Sequence, residues 1–260
     1  MRHRRPDGSV WVRTFPLTLP HDFTQPRHTH DWDQLTYAAS GVIQIETDEG
    51  VWVVPPHRAV WVPAGVAHAE RMYAPVSVRM LYLAEGIADR LPRECRMVNV
   101  SSLLRELVLH VSRLGALDRR TKAHAHVIGV LLDQLSALSA VPLQLPMPRD
   151  PRAARVAARL RAQPDDTASL QTLARAAGAS RRTIERSFVR ETHMSAGEWR
   201  RRARLLHAVR RLAEGEAVTN VALEAGYSSV SAFIAVFKKT FGMTPARYVA
   251  RDASPTPDAR

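Results

Sequence analysis

The chain carries LARAAGASRRTIERSFVRETHMS at residues 173–195 and VALEAGYSSVSAFIAVFKKTFGMT at residues 221–244. The second stretch repeats the first, because Gly178 recurs as Gly226 at an offset of 48 and Phe188 recurs as Phe237 at an offset of 49. One extra residue in the second turn accounts for the change of offset. Such a repeat predicts two copies of one supersecondary unit.

Each copy has the parts of a helix-turn-helix unit. A small residue, Ala174 or Ala222, lets two helices approach closely, and the glycine can take the left-handed conformation that ends the first helix. A serine can cap the second helix, as Ser180 does in the first copy. The outer face of that second helix is then free to meet DNA. It offers Arg181, Arg182, Glu185, Arg186 and Arg190 in the first copy, and Ser228, Ser229, Ser231, Ile234, Ala235 and Lys238 in the second.

The positive charge is concentrated in the same half of the chain. Of the net charge of +12, residues 150–260 carry +9, through 20 basic and 11 acidic residues. A basic half joined to a nearly neutral half indicates a polyanion-binding domain attached to something else. An ordinary helical bundle with surface arginines is the alternative, and two tandem copies of the motif argue against it. An apolar fraction of 45% excludes a disordered chain.

The remaining sequence predicts strands first and helices afterwards. Residues 35–83 are rich in β-branched, aliphatic and aromatic residues and are broken at short intervals by turn formers, which favours a small antiparallel barrel or sandwich. Apolar residues then recur at helical spacing over 101–114 and 119–138. Four prolines within Val141–Pro151 predict a stiff linker. Beyond the linker the pattern predicts helices at about 151–162, 168–177, 181–191, 195–213, 218–225, 229–240 and 244–250.

Residues 151–250 resemble the DNA-binding domain of the AraC/XylS family of bacterial transcription regulators, including the closing FKKTFGMTPARY. The resemblance implies that a long helix at 195–213 holds two recognition helices in successive major grooves. The family's base-reading positions fall on Arg182, Glu185 and Arg186 in the first copy and on Val230, Ser231, Ile234 and Ala235 in the second. Ala235 replaces a polar residue that is common in the family, so Ser229, Ser231 and Lys238 are expected on phosphate. His193 replaces a usual glycine, and histidine tolerates the left-handed region better than most residues.

The N-terminal half resembles the cupin barrel. His28, His30, Gln34 and Gly41 fit the first cupin motif, with Gln34 in place of Glu and Asp22 in place of its opening Gly; Pro63, Gly65 and His68 fit the second, with His57 and Met72 at its flanks. The resemblance implies a pocket formed by His28, His30, Gln34 and His68. Three neutral imidazoles suit a divalent transition metal. A metal-free pocket that binds an organic effector and a vestigial core are the other two interpretations.

The two resemblances together predict two domains: an antiparallel, cupin-like β-barrel followed by helices, and then an all-α domain with two helix-turn-helix motifs. The predicted division is a sensing and dimerisation domain (1–140), a Pro-rich linker (141–150), a DNA-binding domain (151–250) and a disordered tail (251–260). The helices at 101–114 and 119–138 are expected either to dimerise the protein or to cover the open face of the barrel.

The sequence therefore predicts an effector-responsive, sequence-specific transcription regulator that is not an enzyme. Its predicted partners are operator duplex DNA, a small-molecule effector, a second copy of the chain and RNA polymerase, with no membrane. The single cysteine, Cys95, and the absence of an apolar leader favour the cytoplasm. The alternatives are a metal-dependent cupin enzyme, of dioxygenase or isomerase type, with a DNA-binding appendage, and a structural DNA-binding protein with an inactive barrel. Loss of the Glu ligand argues against the enzyme.

Overall fold

The computed structural model describes residues 9–56, 58–84, 86–87, 91–138 and 144–249. The strands are β1 (Val10–Leu19), β2 (Thr24–His28), β3 (Asp33–Ser40), β4 (Ile43–Thr47), β5 (Gly50–Val54), β6 (Arg58–Val62), β7 (His68–Met72), β8 (Val76–Leu83), β9 (Arg96–Asn99), β10 (Ala116–Asp118) and β11 (Leu145–Pro146). The helices are α1 (Ser102–Leu114), α2 (Lys122–Ser136), α3 (Pro151–Ala162), α4 (Leu170–Ala176), α5 (Arg181–Thr192), α6 (Ala196–Ala213), α7 (Val218–Glu224), α8 (Val230–Phe241) and α9 (Pro245–Val249). The predicted tail and residues 141–143 of the predicted linker lie outside the described residues.

The strands form two antiparallel sheets, so the prediction of a closed barrel is wrong. Sheet A has the strand order β10-β1-β8-β3-β6-β9, and sheet B has the order β11-β5-β4-β7-β2. Closing a barrel requires the edge strands to pair along their length. The four edge strands, β10, β9, β11 and β2, have only two to five residues each, and short edges of this kind leave the sheets separate.

Sheet A is buried on both faces. Successive side chains of a strand point to opposite sides of the sheet, so neighbouring residues of β3 report on the two faces separately. Leu35 and Tyr37 of β3 belong to a cluster with Leu104, Val108 and other residues of α1 and α2. On the other face, Gln34 and Thr36 are also buried. The two helices thus cover the outer face of sheet A, which was one of the two roles expected for them.

The predicted helices of the C-terminal half are confirmed to within about two residues at most ends; α6, for example, was expected at 195–213 and spans Ala196–Ala213. The two repeats end their first helices alike. Gly178 and Gly226 have φ of 70° and 77°, which is the left-handed conformation that glycine adopts at little cost. Among the described residues, no helix is both long and apolar enough to cross a membrane.

The segment between the halves is anchored to both of them. Leu145 of β11 pairs with Val51 of β5, so part of the predicted linker extends sheet B. The indole Nε1 of Trp199 in α6 donates a hydrogen bond of 2.7 Å to the carbonyl of Pro146. Buried apolar residues of sheet B and of the C-terminal helices form one continuous cluster. The order of layers is therefore α1 and α2, sheet A, sheet B and the C-terminal helices.

Candidate DNA-binding surface and sensor pocket

Helix α5 has one buried face and one charged face. Ile184 and Phe188 are fully buried and fix the helix against the core. Arg181, Arg182 and Arg186 are exposed, and within the described part of the chain their side chains make no hydrogen bond or ion pair. A folded protein gains little by holding three unpaired guanidinium groups together, whereas DNA phosphates and guanine edges bind them well. The geometry leaves this face free for a polyanion.

Other residues predicted at the DNA surface of the first copy have structural partners. The side chain of Ser180 accepts a hydrogen bond of 3.1 Å from the backbone N–H of Thr183 and so caps α5. Arg190 forms an ion pair with Glu191. Glu185 is only partly exposed. Ser180 therefore fixes the N-terminal end of α5, and the positive charge of Arg190 is partly balanced by Glu191.

Helix α8 repeats the frame of α5 with different side chains on its outer face. Phe233 and Phe237 are fully buried, as their counterparts in α5 are. Ser229 caps the helix by accepting a hydrogen bond of 3.1 Å from the N–H of Ala232. The predicted contact residues divide into two sets: Ser228, Ser231, Ala235 and Lys238 are exposed, and Val230 and Ile234 are half-buried.

The two helix pairs are connected by α6. Its N-terminus is closed by a capping box, in which the side chains of Ser195 and Glu198 bond each other's backbone N–H groups. Trp199 of α6 packs edge-to-face on Phe188 of α5, with ring centroids 5.5 Å apart, and α6 also packs against α7. Helix α6 therefore holds the two helix-turn-helix units in fixed positions.

Three histidines converge between the two sheets. The ring centroid of His68 lies 4.3 Å from that of His28 and 5.0 Å from that of His30, and the latter two are 6.2 Å apart. His28 and His30 are two residues apart and would face the same way on one strand; the cupin resemblance predicts that arrangement, but β2 ends at His28, so the two do not share a strand. His30 lies in the connection between β2 and β3, and its ring is nevertheless beside that of His68.

The backbone fixes the tautomers of two of these rings. The Nδ1 atoms of His28 and His68 lie 2.9 and 3.0 Å from the carbonyl oxygens of Pro26 and Val66. A carbonyl only accepts hydrogen bonds, so each Nδ1 carries a proton. The Nε2 of His68 is buried and has no hydrogen-bond partner. Burial lowers the pKa of His68 to about 4, so the ring is neutral near pH 7.

Glu70 belongs to the same pocket, although the sequence analysis did not identify it. It follows His68 by two residues on β7, and so shares its face. Gln34 donates hydrogen bonds to Thr36 (2.6 Å) and to Glu70 (3.2 Å). Burial raises the pKa of Glu70 to about 7, against the opposing effect of the bond from Gln34. The residue two positions after His68 lies on the same face of the strand, so the alternation of strand side chains would have identified this carboxyl group from the sequence.

The donor set of the pocket bears on the predicted metal. The imidazole rings of His28 and His68 and the nearby carboxyl group of Glu70 are suitable ligand types. Nevertheless, within the described residues no three His, Cys, Asp or Glu side chains are arranged so that they could hold a metal ion. The residues as they stand do not fit a bound metal, which stays a prediction from the sequence. His57 lies outside the described residues.

Polar contacts join the outer face of sheet B to the C-terminal helices. Arg161 of α3 forms two hydrogen bonds with the carboxylate of Glu46, of 3.3 and 3.0 Å. Arg210 of α6 donates to Gln44 (3.1 Å) and to the hydroxyl of Tyr73 (3.2 Å). A cavity of about 460 Å³ lies beside these residues. The sequence analysis did not anticipate this polar junction, because long-range pairs leave no local pattern.

The fold and these surfaces define a class of protein: a ligand-binding domain joined to a helix-turn-helix domain. Residues 18–183 match the family described as "AraC-like ligand binding domain", and residues 173–251 match "Helix-turn-helix domain". The chain belongs to the AraC family of transcriptional regulators.

Relatives with assigned names are regulators as well. The chain is 33% identical over 238 residues to the HTH-type transcriptional regulator NimR of Escherichia coli K12, a match that covers 92% of this chain and 87% of NimR. It is 33% identical over 85 residues to the regulatory protein SoxS of Salmonella typhimurium, covering 32% of this chain and 79% of SoxS. Fatty-acid-bound ToxT of Vibrio cholerae aligns with 98% of this chain at 11% identity and a TM-score of 0.40. NimR and SoxS are both named as regulators and give no support to the alternative of a cupin enzyme.

Proposed function

We propose that this regulator binds operator DNA through two recognition helices, α5 and α8, and that a small-molecule effector acts through the histidine pocket. The observation that carries the DNA-binding part is the unpaired guanidinium set of Arg181, Arg182 and Arg186 on the exposed face of α5. The repetition of the same capped and buried frame in α8 supports a second recognition helix.

Single arginine variants test the DNA-binding surface. Arg182→Ala and Arg186→Ala should each weaken specific operator binding by about 1–3 kcal/mol and relax preference at one base position, if each guanidinium pairs with guanine. Fluorescence anisotropy on a duplex selected from a random library measures the loss. Arg113→Ala, which removes one exposed positive charge from α1, is the matched control. Wild-type affinity and base preference in both α5 variants would overturn the assignment.

The sensor part of the proposal rests on His28, His30, Gln34 and His68, with Glu70 added by the structure. Gln34 and His68 are at most 1% exposed, and each has a buried acceptor atom, Oε1 and Nε2 respectively, without a hydrogen-bond partner. Leaving such an atom unsatisfied costs about 1–3 kcal/mol, so a ligand that donates hydrogen bonds would recover this energy. The pocket is suited to an effector rather than to a purely structural role.

The two occupants that the sequence analysis left open, a transition metal and an organic effector, give different measurements. Elemental analysis of protein purified without an affinity tag reports a bound transition metal, and native mass spectrometry of the full chain reports a co-purifying organic molecule. In either case His68→Ala should lose the occupant, whereas His126→Ala, a change to an exposed histidine of α2, should keep it. Retention of the occupant by His68→Ala would exclude the pocket.

The strand pair β4–β7 offers a route from the pocket to the reading helices. Its inner face carries His68 and Glu70, and its outer face carries Gln44 and Glu46, which contact α6 and α3. An effector shifts an equilibrium only by binding one arrangement better than another. We propose that this pair is the element through which it does so. A homodimer and a contact with RNA polymerase remain part of the proposal.

A further inference from the structure

The two proposed recognition helices have matching frames and opposite chemistry. Each has twelve residues, a serine cap and a pair of buried apolar residues four apart, all related by an offset of 49. The shared frame points equivalent positions of α5 and α8 in the same direction. The outer positions Arg181, Arg182, Glu185 and Arg186 of α5 therefore correspond to Val230, Ser231, Ile234 and Ala235 of α8.

The four charged groups at these positions of α5 are thus replaced by apolar or hydroxyl side chains in α8, whereas Arg190, nearer the end of α5, corresponds to the basic Lys239. The first charged residue of α8 is Lys238, in its last turns. Ala235 is exposed, and Val230 and Ile234 pack against the core on one side while part of each side chain stays exposed. A face of this composition cannot pair with guanine in the way that arginine does.

We infer that α8 reads the 5-methyl groups of thymines in the major groove, whereas α5 reads guanines. The inference rests on the proposal that both helices enter the groove. Thymine is the one standard base that presents a methyl group there, and apolar side chains contact it favourably. Facing Ile234 or Ala235 with a cytosine amino group or a guanine oxygen would bury a polar atom without a partner, which is unfavourable.

The operator should therefore have two unlike halves. The half under α5 contains guanines, and the half under α8, about one helical turn away, contains thymines. Ser231, exposed between the apolar positions, donates to or accepts from either base type and adds little selectivity. This asymmetry distinguishes methyl reading from mere phosphate binding by α8, which would leave the second half without any preferred sequence.

Deoxyuridine isolates the methyl group as a probe, because it pairs as thymine does and lacks only that group. The site is first selected from a random duplex library with the full-length protein. Deoxyuridine in the half under α8 should weaken binding about fourfold for each contacted methyl, the factor that corresponds to one buried carbon. The same replacement under α5 should leave affinity unchanged. 7-Deazaguanine, which lacks the N7 acceptor, should weaken binding only in the half under α5.

Variants of α8 connect the effect to its residues. Ile234→Ala should weaken binding to the duplex that contains thymine. It should also reduce the difference in affinity between that duplex and the one that contains deoxyuridine. Val236→Ala, on the opposite side of the same helix, should preserve the affinity for DNA and the difference in affinity between the two duplexes. Ala235→Arg, which restores the residue type of Arg186, should move selection toward guanine in that half.

The outcomes are separable. A selected site with two defined halves whose thymine half is insensitive to deoxyuridine overturns methyl reading and leaves the proposed function standing. A selected site with a single defined half likewise overturns methyl reading and leaves the proposed function standing. Failure to select any preferred duplex would instead overturn the proposed function itself.

Discussion

Asp22 and His193 are the two residues other than glycine that have a positive φ among the described residues, at 60° and 56°. Both stand where the family patterns usually have glycine. His193 ends α5 in the left-handed conformation, and its N–H bonds the carbonyl of Val189. Asp and His occur in this region more often than most residues because their short polar side chains tolerate it. The substitutions keep the turns and store a small strain.

The residue that the sequence analysis missed, Glu70, has a testable pH signature. Its pKa is about 7 in the folded protein against a usual value of 4.5. Between these values the folded state holds a proton that the unfolded chain has released, so the free energy of unfolding falls as the pH rises. Glu70→Gln cannot ionise and keeps an acceptor for Gln34. Its stability relative to wild type should rise from pH 5 to pH 7 by up to about 1.4 kcal/mol per pH unit.

Urea denaturation at several pH values in this range measures that difference. His68 acts in the opposite direction, because its pKa is lowered to about 4 and stability is lost as the pH falls through the range below 6.5. This contribution is present in both proteins and cancels in the comparison. Glu106→Gln, a change on the exposed surface of α1, is the control. Parallel stability curves for wild type and Glu70→Gln would contradict the burial of an ionisable group at this position.

At the scale of elements, local signals located the helices well and the sheets less well. Gly178, Gly226 and the serine caps of α4, α5, α6 and α8 lie next to the helix ends that they mark, so these bounds could be predicted from local sequence. Strand β1 was not predicted, since much of its length is partly exposed and it contains Pro16. Whether sheets close into a barrel depends on pairing between distant edges, which leaves no local mark.

Helix α1 carries a stripe that its packing on sheet A does not explain. Leu104, Val108 and Val111 are buried against the sheet, but Leu103 and Leu114 are 53% and 45% exposed. If this stripe joins two copies of the chain, as proposed, Leu103→Gln with Leu114→Gln should convert a dimer into a monomer and leave the fold intact, because neither residue is in the core. Analytical ultracentrifugation measures the mass.

Leu223→Gln provides the comparison for α1, because Leu223 is also an exposed leucine, at 63%, but lies on α7. It should leave the oligomeric state unchanged. A wild-type protein that sediments as one chain at all concentrations would exclude the dimer, and a double variant that still sediments as two chains would exclude this stripe.

On the scale of the whole molecule, the junction between the halves is a set of specific polar contacts over a shared apolar core. Arg161 and Glu46 are 25% and 43% exposed, so their ion pair is partly screened by water. Arg161→Glu places two carboxylates against each other and should lower the free energy of unfolding by about 1 kcal/mol. The reversed pair, Arg161→Glu with Glu46→Arg, should restore most of the loss.

Urea unfolding of the four proteins in this cycle gives the coupling energy between the two positions. Arg159→Glu, on the same helix but paired with Asp166 of its own domain, serves as the control, because Glu46→Arg should not rescue it. Losses that simply add in the double variant would show that the two side chains do not interact across the junction.

Arg58 of β6 reaches across the same junction and donates a hydrogen bond of 3.1 Å to the carbonyl of Phe241, at the C-terminal end of α8. The two residues are 183 positions apart. A cation at this end of a helix stabilises it, and here the cation is supplied by a distant segment of the chain. On the ribosome the N-terminal half emerges first and can fold before the helices follow. When the last turn of α8 is synthesised, Arg58 is therefore already held in a folded domain. The contact then forms without the slow closure of a long unstructured loop.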